Sequence, residues 1–109
     1  MGRGRLDGVF EALGDPGRRA LVEAVAARGD ATATELAAEL PVTRQAVSKH
    51  LAALSDAGLV RSARAGRETR YRLTPEPLGE AVSWIEQVGG AWDERLAALA
   101  RHLSGAGSG

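Results

Sequence analysis

Only Leu40, Pro41, Val42 and Thr43 separate two runs of helical periodicity near the middle of the chain. A proline cannot continue the first helix and a threonine can cap the second, so the two helices must turn sharply and pack across one another. The helix before the turn is expected from an N-cap at Thr34 through Leu40, with Glu35 and Leu36 in its first turns. The helix after it is expected to run from Arg44 to Ala57, capped by Thr43 and ended by Gly58, which suits a left-handed C-terminal position. Upstream, Leu6, Val9, Phe10 and Leu13 recur at helical spacing before Gly14. Asp15-Pro16 then reads as the N-cap and first-turn proline of a second helix, whose apolar face is Ala20, Leu21, Ala24 and Val25 and whose end is Gly29-Asp30.

A chain of 109 residues makes one domain. Its apolar residues number 48, but 21 are alanine, so the core is thin and a second subunit is expected to complete it. The absence of cysteine removes disulfides, thiolate metal sites and thiol redox chemistry. No membrane span is expected. The start, Met1 to Asp7, lacks the apolar run of a signal peptide, and Leu6 breaks the myristoylation pattern, which leads to an expectation of cytoplasmic location.

The formal net charge of zero hides an uneven distribution. Residues 1–42 carry five basic and seven acidic side chains, residues 43–73 seven and two, and residues 74–109 two and five. The middle third is therefore basic, and the local field rather than the net charge governs attraction to a polyanion. Thirteen of the fourteen basic residues are arginine, which together with the alanine excess also fits codon bias, so position has to decide.

Position is informative on the helix after Pro41. At about 100° per residue, with Val47 as zero, Leu51 falls near 40° and Leu54 near 340°, whereas Gln45, Ser48, Lys49 and Ala52 fall between about 100° and 200°. The outer face offers an amide for adenine edges, a hydroxyl, and an ammonium for guanine or phosphate, with Arg44 on its flank. Any surface helix has a polar side, so this face alone is equally compatible with ordinary solvation. Beyond Gly58, Leu59–Arg64 and Thr69–Leu73 read as two strands around Ala65-Gly66-Arg67-Glu68. A period of two turns Tyr71 and Leu73 inward and Arg70 and Arg72 outward, and a tip with Arg64, Arg67 and Arg70 suits a wing that grips DNA backbone. Protection of an edge strand by basic residues is the weaker reading, given the order helix, turn, helix, basic hairpin.

The run Val47-Ser48-Lys49-His50-Leu51, then Leu54, Ala57-Gly58-Leu59-Val60, Gly66-Arg67 and Tyr71-Arg72-Leu73 resembles the ArsR family of winged helix transcriptional regulators. Leu13-Gly14-Asp15-Pro16, Arg18-Arg19 and Glu35-Leu36-Ala37 stand where that family has similar residues, so the resemblance covers residues 6–103. It implies a homodimeric DNA-binding protein, usually a repressor of its own operon, with base and phosphate contacts at Arg44, Gln45, Ser48 and Lys49. The founding members of that family sense metals, and here the chain departs from them. Leu36-Ala37-Ala38-Glu39-Leu40 stands in place of their cysteines, and the last helix offers only His102 with Glu86, Asp93 and Glu94. A lone histidine is a poor zinc site, so no metal sensing and no cofactor are expected. His102 reads as a solvated helix-end residue and His50, near 300° on the wheel, as a partly buried structural one.

Leu78, Val82, Ile85, Val88, Trp92, Leu96, Leu99 and Leu103 advance in steps of about 3.6 residues and form one apolar stripe. A helix from Pro77 to Leu103 reaches about 40 Å, longer than so small a domain is wide, so the stripe calls for a two-fold mate. Gly89-Gly90 predicts one bent helix or two. Enzymatic readings fail: Ser48 and His50 lie about 200° apart on their helix, and no phosphate-loop or dinucleotide glycine pattern is present.

The expected molecule is mainly α with a small β-hairpin wing (α+β), a winged helix-turn-helix dimeric through its first and last helices. Residues 1–103 form its single domain and residues 104–109 a flexible tail. Its DNA contacts are Thr43, Arg44, Gln45, Ser48 and Lys49 on the recognition helix and Arg64, Arg67 and Arg70 on the wing; its dimer contacts are Leu6, Phe10, Ile85, Val88, Trp92, Leu96 and Leu99. The expected partners are a double-stranded, two-fold operator and a second copy of the chain, with the inducer open between a small apolar molecule, a protein and none. The alternative is a winged helix that binds an acidic protein partner.

Overall fold

Asp15 sets where the second helix begins. Its carboxylate accepts the backbone N–H of Arg18 at 3.0 Å, and Pro16 occupies the first turn, where no N–H is needed. In the computed structural model, which describes the backbone of residues 2–107 and the side chains of residues 4–102, eight elements follow in order. They are α1 (Gly2–Leu13), α2 (Pro16–Arg28), β1 (Ala31–Thr32), α3 (Ala33–Glu39), α4 (Arg44–Asp56), β2 (Val60–Ala65), β3 (Glu68–Leu73) and α5 (Pro75–Gly107).

The corner between α1 and α2 is closed by two arginines. Arg18 Nε donates to the carbonyl of Ala12 at 2.7 Å and Arg19 Nη1 to that of Leu13 at 2.7 Å, so guanidiniums satisfy carbonyls that the end of α1 leaves free. At the start of α3 the cap is Thr32 and not Thr34. Thr32 Oγ1 accepts the Glu35 N–H at 3.1 Å while Glu35 Oε1 accepts the Thr32 N–H at 2.8 Å. This reciprocal box needs a glutamate three residues on, which Thr32 has and Thr34 lacks. Thr43 caps α4 as expected, accepting the Ala46 N–H at 3.1 Å. That helix ends with Leu59 N–H donating to Leu54 O and Gly58 N–H to Ser55 O, both at 2.9 Å, around Gly58 at φ +78°. Those two bonds make a Schellman stop, and they drive Leu59 and Leu54, both fully buried, into the same core.

The strands form one antiparallel sheet in the order β1-β3-β2. Ala31 pairs with Tyr71 across β1 and β3, and Val60 with Leu73, Arg61 with Arg72 and Ala65 with Glu68 across β2 and β3. The wing turn therefore contains only Gly66 and Arg67, tighter than the four-residue loop expected. Gly66 sits at φ +65°, as the first central position of a II′ hairpin turn requires. Strand β1 is a finding that the sequence did not foreshadow.

Val9, Leu21, Val25, Leu36, Val47, Leu51, Leu54 and Leu59 fill the core between α1–α4 and the sheet, each at most 1% exposed. At about 1.5–3 kcal/mol for each large aliphatic side chain removed from water, this small set holds the helix-turn-helix together. Helix α5 joins that core through its first turns, at Pro77, Leu78 and Ala81, and then leaves it behind. Of the one bent helix or two expected, the chain forms one, unbroken through Gly89-Gly90 and about 50 Å long. It continues to Gly107, past the expected end at Leu103; Ser108 and Gly109 of the expected tail lie outside the described residues.

Candidate nucleic-acid interface

Helix α4 is a two-faced element. Val47, Leu51 and Leu54 are buried, which fixes the rotation of the helix, and the opposite face is exposed. Arg44, Gln45, Ser48, Lys49 and Ala52 together line one shallow surface there. Sequence reasoning placed these residues on one face, and the structure brings them together. Thr43 is exposed beside them, with its hydroxyl oxygen occupied by the cap and its O–H proton free to donate.

The wing stands next to this face. Arg44 and Ser48 of α4, Arg67 of the turn, and Thr69 and Tyr71 of β3 line a cleft of about 500 Å³, closed at its other side by Thr32–Glu35 and Glu68. Arg64 and Arg67 are exposed at the hairpin tip. Arg70, expected with them, is held elsewhere. Its Nη2 lies 3.0 Å from Asp30 Oδ1 and 3.1 Å from Glu35 Oε1, and its Nη1 lies 3.0 Å from Glu68 Oε1. Three carboxylates from the α2–β1 connection, α3 and β3 converge on this one guanidinium, and the Asp30 bonds foremost raise its affinity for its proton. Glu35 is held below the ordinary carboxylate range, first by the Thr32 N–H and then by the charges of Arg70 and Arg28. Asp15 is likewise lowered, chiefly by the Arg18 N–H.

His50 is half-buried, with Nδ1 3.9 Å from Asp15 Oδ2, as expected of a structural histidine. It fills the space over Gly17, where a Cβ would come within 2.8 Å of Nε2 and 3.0 Å of Asp15 Oδ2, so any side chain there would displace the imidazole from this position. Ser48 faces the wing cleft instead, which separates it from the imidazole. Among the described residues no group of three or more His, Asp or Glu side chains is placed to hold a metal ion. No helix among them is long and apolar enough to cross a membrane.

The residues offered for a dimer contact divide in two. Ile85, Val88, Trp92, Leu96 and Leu99 on α5 are 49–59% exposed, as is Val82. Leu6 and Phe10 pack against the chain's own core, and the Phe10 ring meets Trp84 edge-on at 5.3 Å between centroids. Trp84, off the stripe, was missed because its contact lies across the fold.

A buried-faced second helix after a tight turn, flanked by a basic two-stranded wing, defines a winged helix-turn-helix. The helix-turn-helix domain family matches residues 13–63. An HTH-type transcriptional regulator of Bacillus subtilis, YuzN, is 40% identical over 76% of this chain and 98% of its own length. The HTH-type transcriptional regulator Rv2034 of Mycobacterium tuberculosis is 37% identical over 93% of this chain and 91% of its own. Among solved structures, an ArsR-like transcriptional regulator from Rhodococcus sp. RHA1 superposes with a TM-score of 0.74 at 44% identity, covering 91% of this chain and 92% of that one. The chain belongs to the ArsR family of helix-turn-helix transcriptional regulators. That membership points away from an enzyme.

Proposed function

We propose that the protein is a homodimeric, cytoplasmic repressor that reads a two-fold operator in its own promoter region and does not respond to metal. The observation that carries this reading is the exposed face of α4, where Arg44, Gln45, Ser48 and Lys49 stand beside the wing cleft while the opposite face is locked into the core. Gln45 and Lys49 read base edges, Arg44 and Thr43 take flanking phosphates, and Arg64 and Arg67 hold the backbone from the wing tip. Arg70 has no part in the contact, being committed to three carboxylates. The exposed stripe of α5 supports pairing with a second copy, which sets two recognition helices about one helical turn of DNA apart.

Changing Gln45 and Lys49 together to Ala tests the reading. Sequence preference should fall by at least about tenfold while the variant keeps its fold and oligomeric state. An unchanged preference would return the basic surface to the alternative, an acidic protein partner. The metal-independent reading rests on the Leu36–Leu40 run, which carries no cysteine, and the solitary His102. Release of operator DNA by stoichiometric zinc, well beyond a magnesium control, would overturn it.

A further inference from the structure

Arg61 and Arg72 face each other across the wing, in direct register between β2 and β3. Side chains so paired share a face with their Cβ atoms about 4.5–5.5 Å apart, and like charges placed that way repel. Val60 and Leu73 turn the opposite face of the sheet onto the core, so both guanidiniums project from the outer face and both are exposed. Arg70 lies on that outer face too, two residues from Arg72, yet it gathers Asp30, Glu35 and Glu68 to itself. Among the described residues no carboxylate pairs with Arg61 or Arg72. Folding thus gains from the charge of Arg70 and is opposed by that of the neighbouring pair, which an anion bound between them would reconcile.

We propose that Arg61 and Arg72 form a cross-strand clamp for one backbone phosphate of duplex DNA, a contact outside the recognition helix and the wing tip. The inference rests on the DNA-binding reading above and adds a site to it. Two planar guanidiniums can fork around the two non-bridging oxygens of one backbone phosphate. Along the hairpin the pair lies about 13 Å from the end of β2 at the turn, so the tip arginines and the clamp touch separate phosphates.

The test compares the parent with R61Q, R72Q and the double variant on a preferred duplex and a scrambled duplex across a salt series. The double variant should bind both duplexes about tenfold more weakly, lower the slope of log affinity against log salt by about one per protomer, and keep the parent's preference between them. Its thermal midpoint should equal or exceed the parent's, because a repulsive pair has been removed. Unchanged affinity and slope would overturn the clamp, as would a double variant that self-associates through its free edge while binding DNA normally. Binding of neither duplex by the parent would instead defeat the DNA-binding reading itself, so the two failures are distinguishable.

Discussion

Arg70 shows how far a residue's role depends on what arrives from elsewhere in the chain. Period two along β3 put its side chain on the outer face, and from the strand alone that looked like a charge offered to DNA. The carboxylate that claims it most strongly, Asp30, is 40 residues away and is delivered by β1, a strand too short to leave a periodic trace. Removing the cation leaves Asp30, Glu35 and Glu68 crowded together. R70Q should therefore speed amide exchange across Glu68–Leu73 and weaken DNA binding without lowering the salt slope. Parent-like protection with a slope reduced by about one would make Arg70 a phosphate ligand instead. Titration belongs to this scale as well. Asp15 and Glu35 are held below their ordinary values of 3.8 and 4.5, so the unfolded chain takes up their protons at higher pH than the folded one. The stability they contribute is complete above about pH 5, falls as pH drops through the ordinary carboxylate range, and is gone below their lowered folded values. Urea midpoints measured from about pH 6 to about pH 3 should decline accordingly, and D15N, which still caps α2, should flatten part of that decline.

Among the elements, α4 was legible from its sequence almost residue for residue. Its cap, its stop glycine and its two faces are local signals, and each is found in the fold. Leu54, wholly buried and at the start of the Schellman stop, is the residue on which that helix most depends. L54A should cost about 2–5 kcal/mol in urea unfolding, and G58A should also destabilise because alanine tolerates φ +78° poorly. A loss below about 1 kcal/mol for L54A would mean that the core collapses around the gap. The entry to α3 was misread by two residues for a related reason. Thr32 and Thr34 are equally good caps in composition, and only the spacing to Glu35 separates them. The turn of the wing was read too wide because the pairing of Ala65 with Glu68 depends on the positive φ of Gly66, which the residue type permits without requiring.

For the whole molecule, the decisive feature is a 33-residue helix that the small core cannot cover. The periodic stripe announced it, whereas Gly89-Gly90 argued for one bent helix or two, and of these the flanking helix-forming residues exclude two. Leu6 and Phe10 are partly buried by the chain's own core, and apolar helical spacing alone does not say whether a copy covers the remainder. If a second copy covers α5, W92K should shift the protein to a monomer by sedimentation and lower its thermal midpoint, and the parent's midpoint should rise with concentration. A parent that sediments as a monomer at every concentration would remove the basis for a two-fold operator.

Selection of bound duplexes from a pool of random sequence tests most directly whether α4 reads DNA in two copies, since it does not depend on where the operator lies. The expected result is enrichment of an inverted repeat whose half-sites are centred about 10 base pairs apart, lost in the Gln45 and Lys49 double alanine variant. A selected pool indistinguishable from the starting pool, in a preparation that is folded and dimeric, would contradict the assignment.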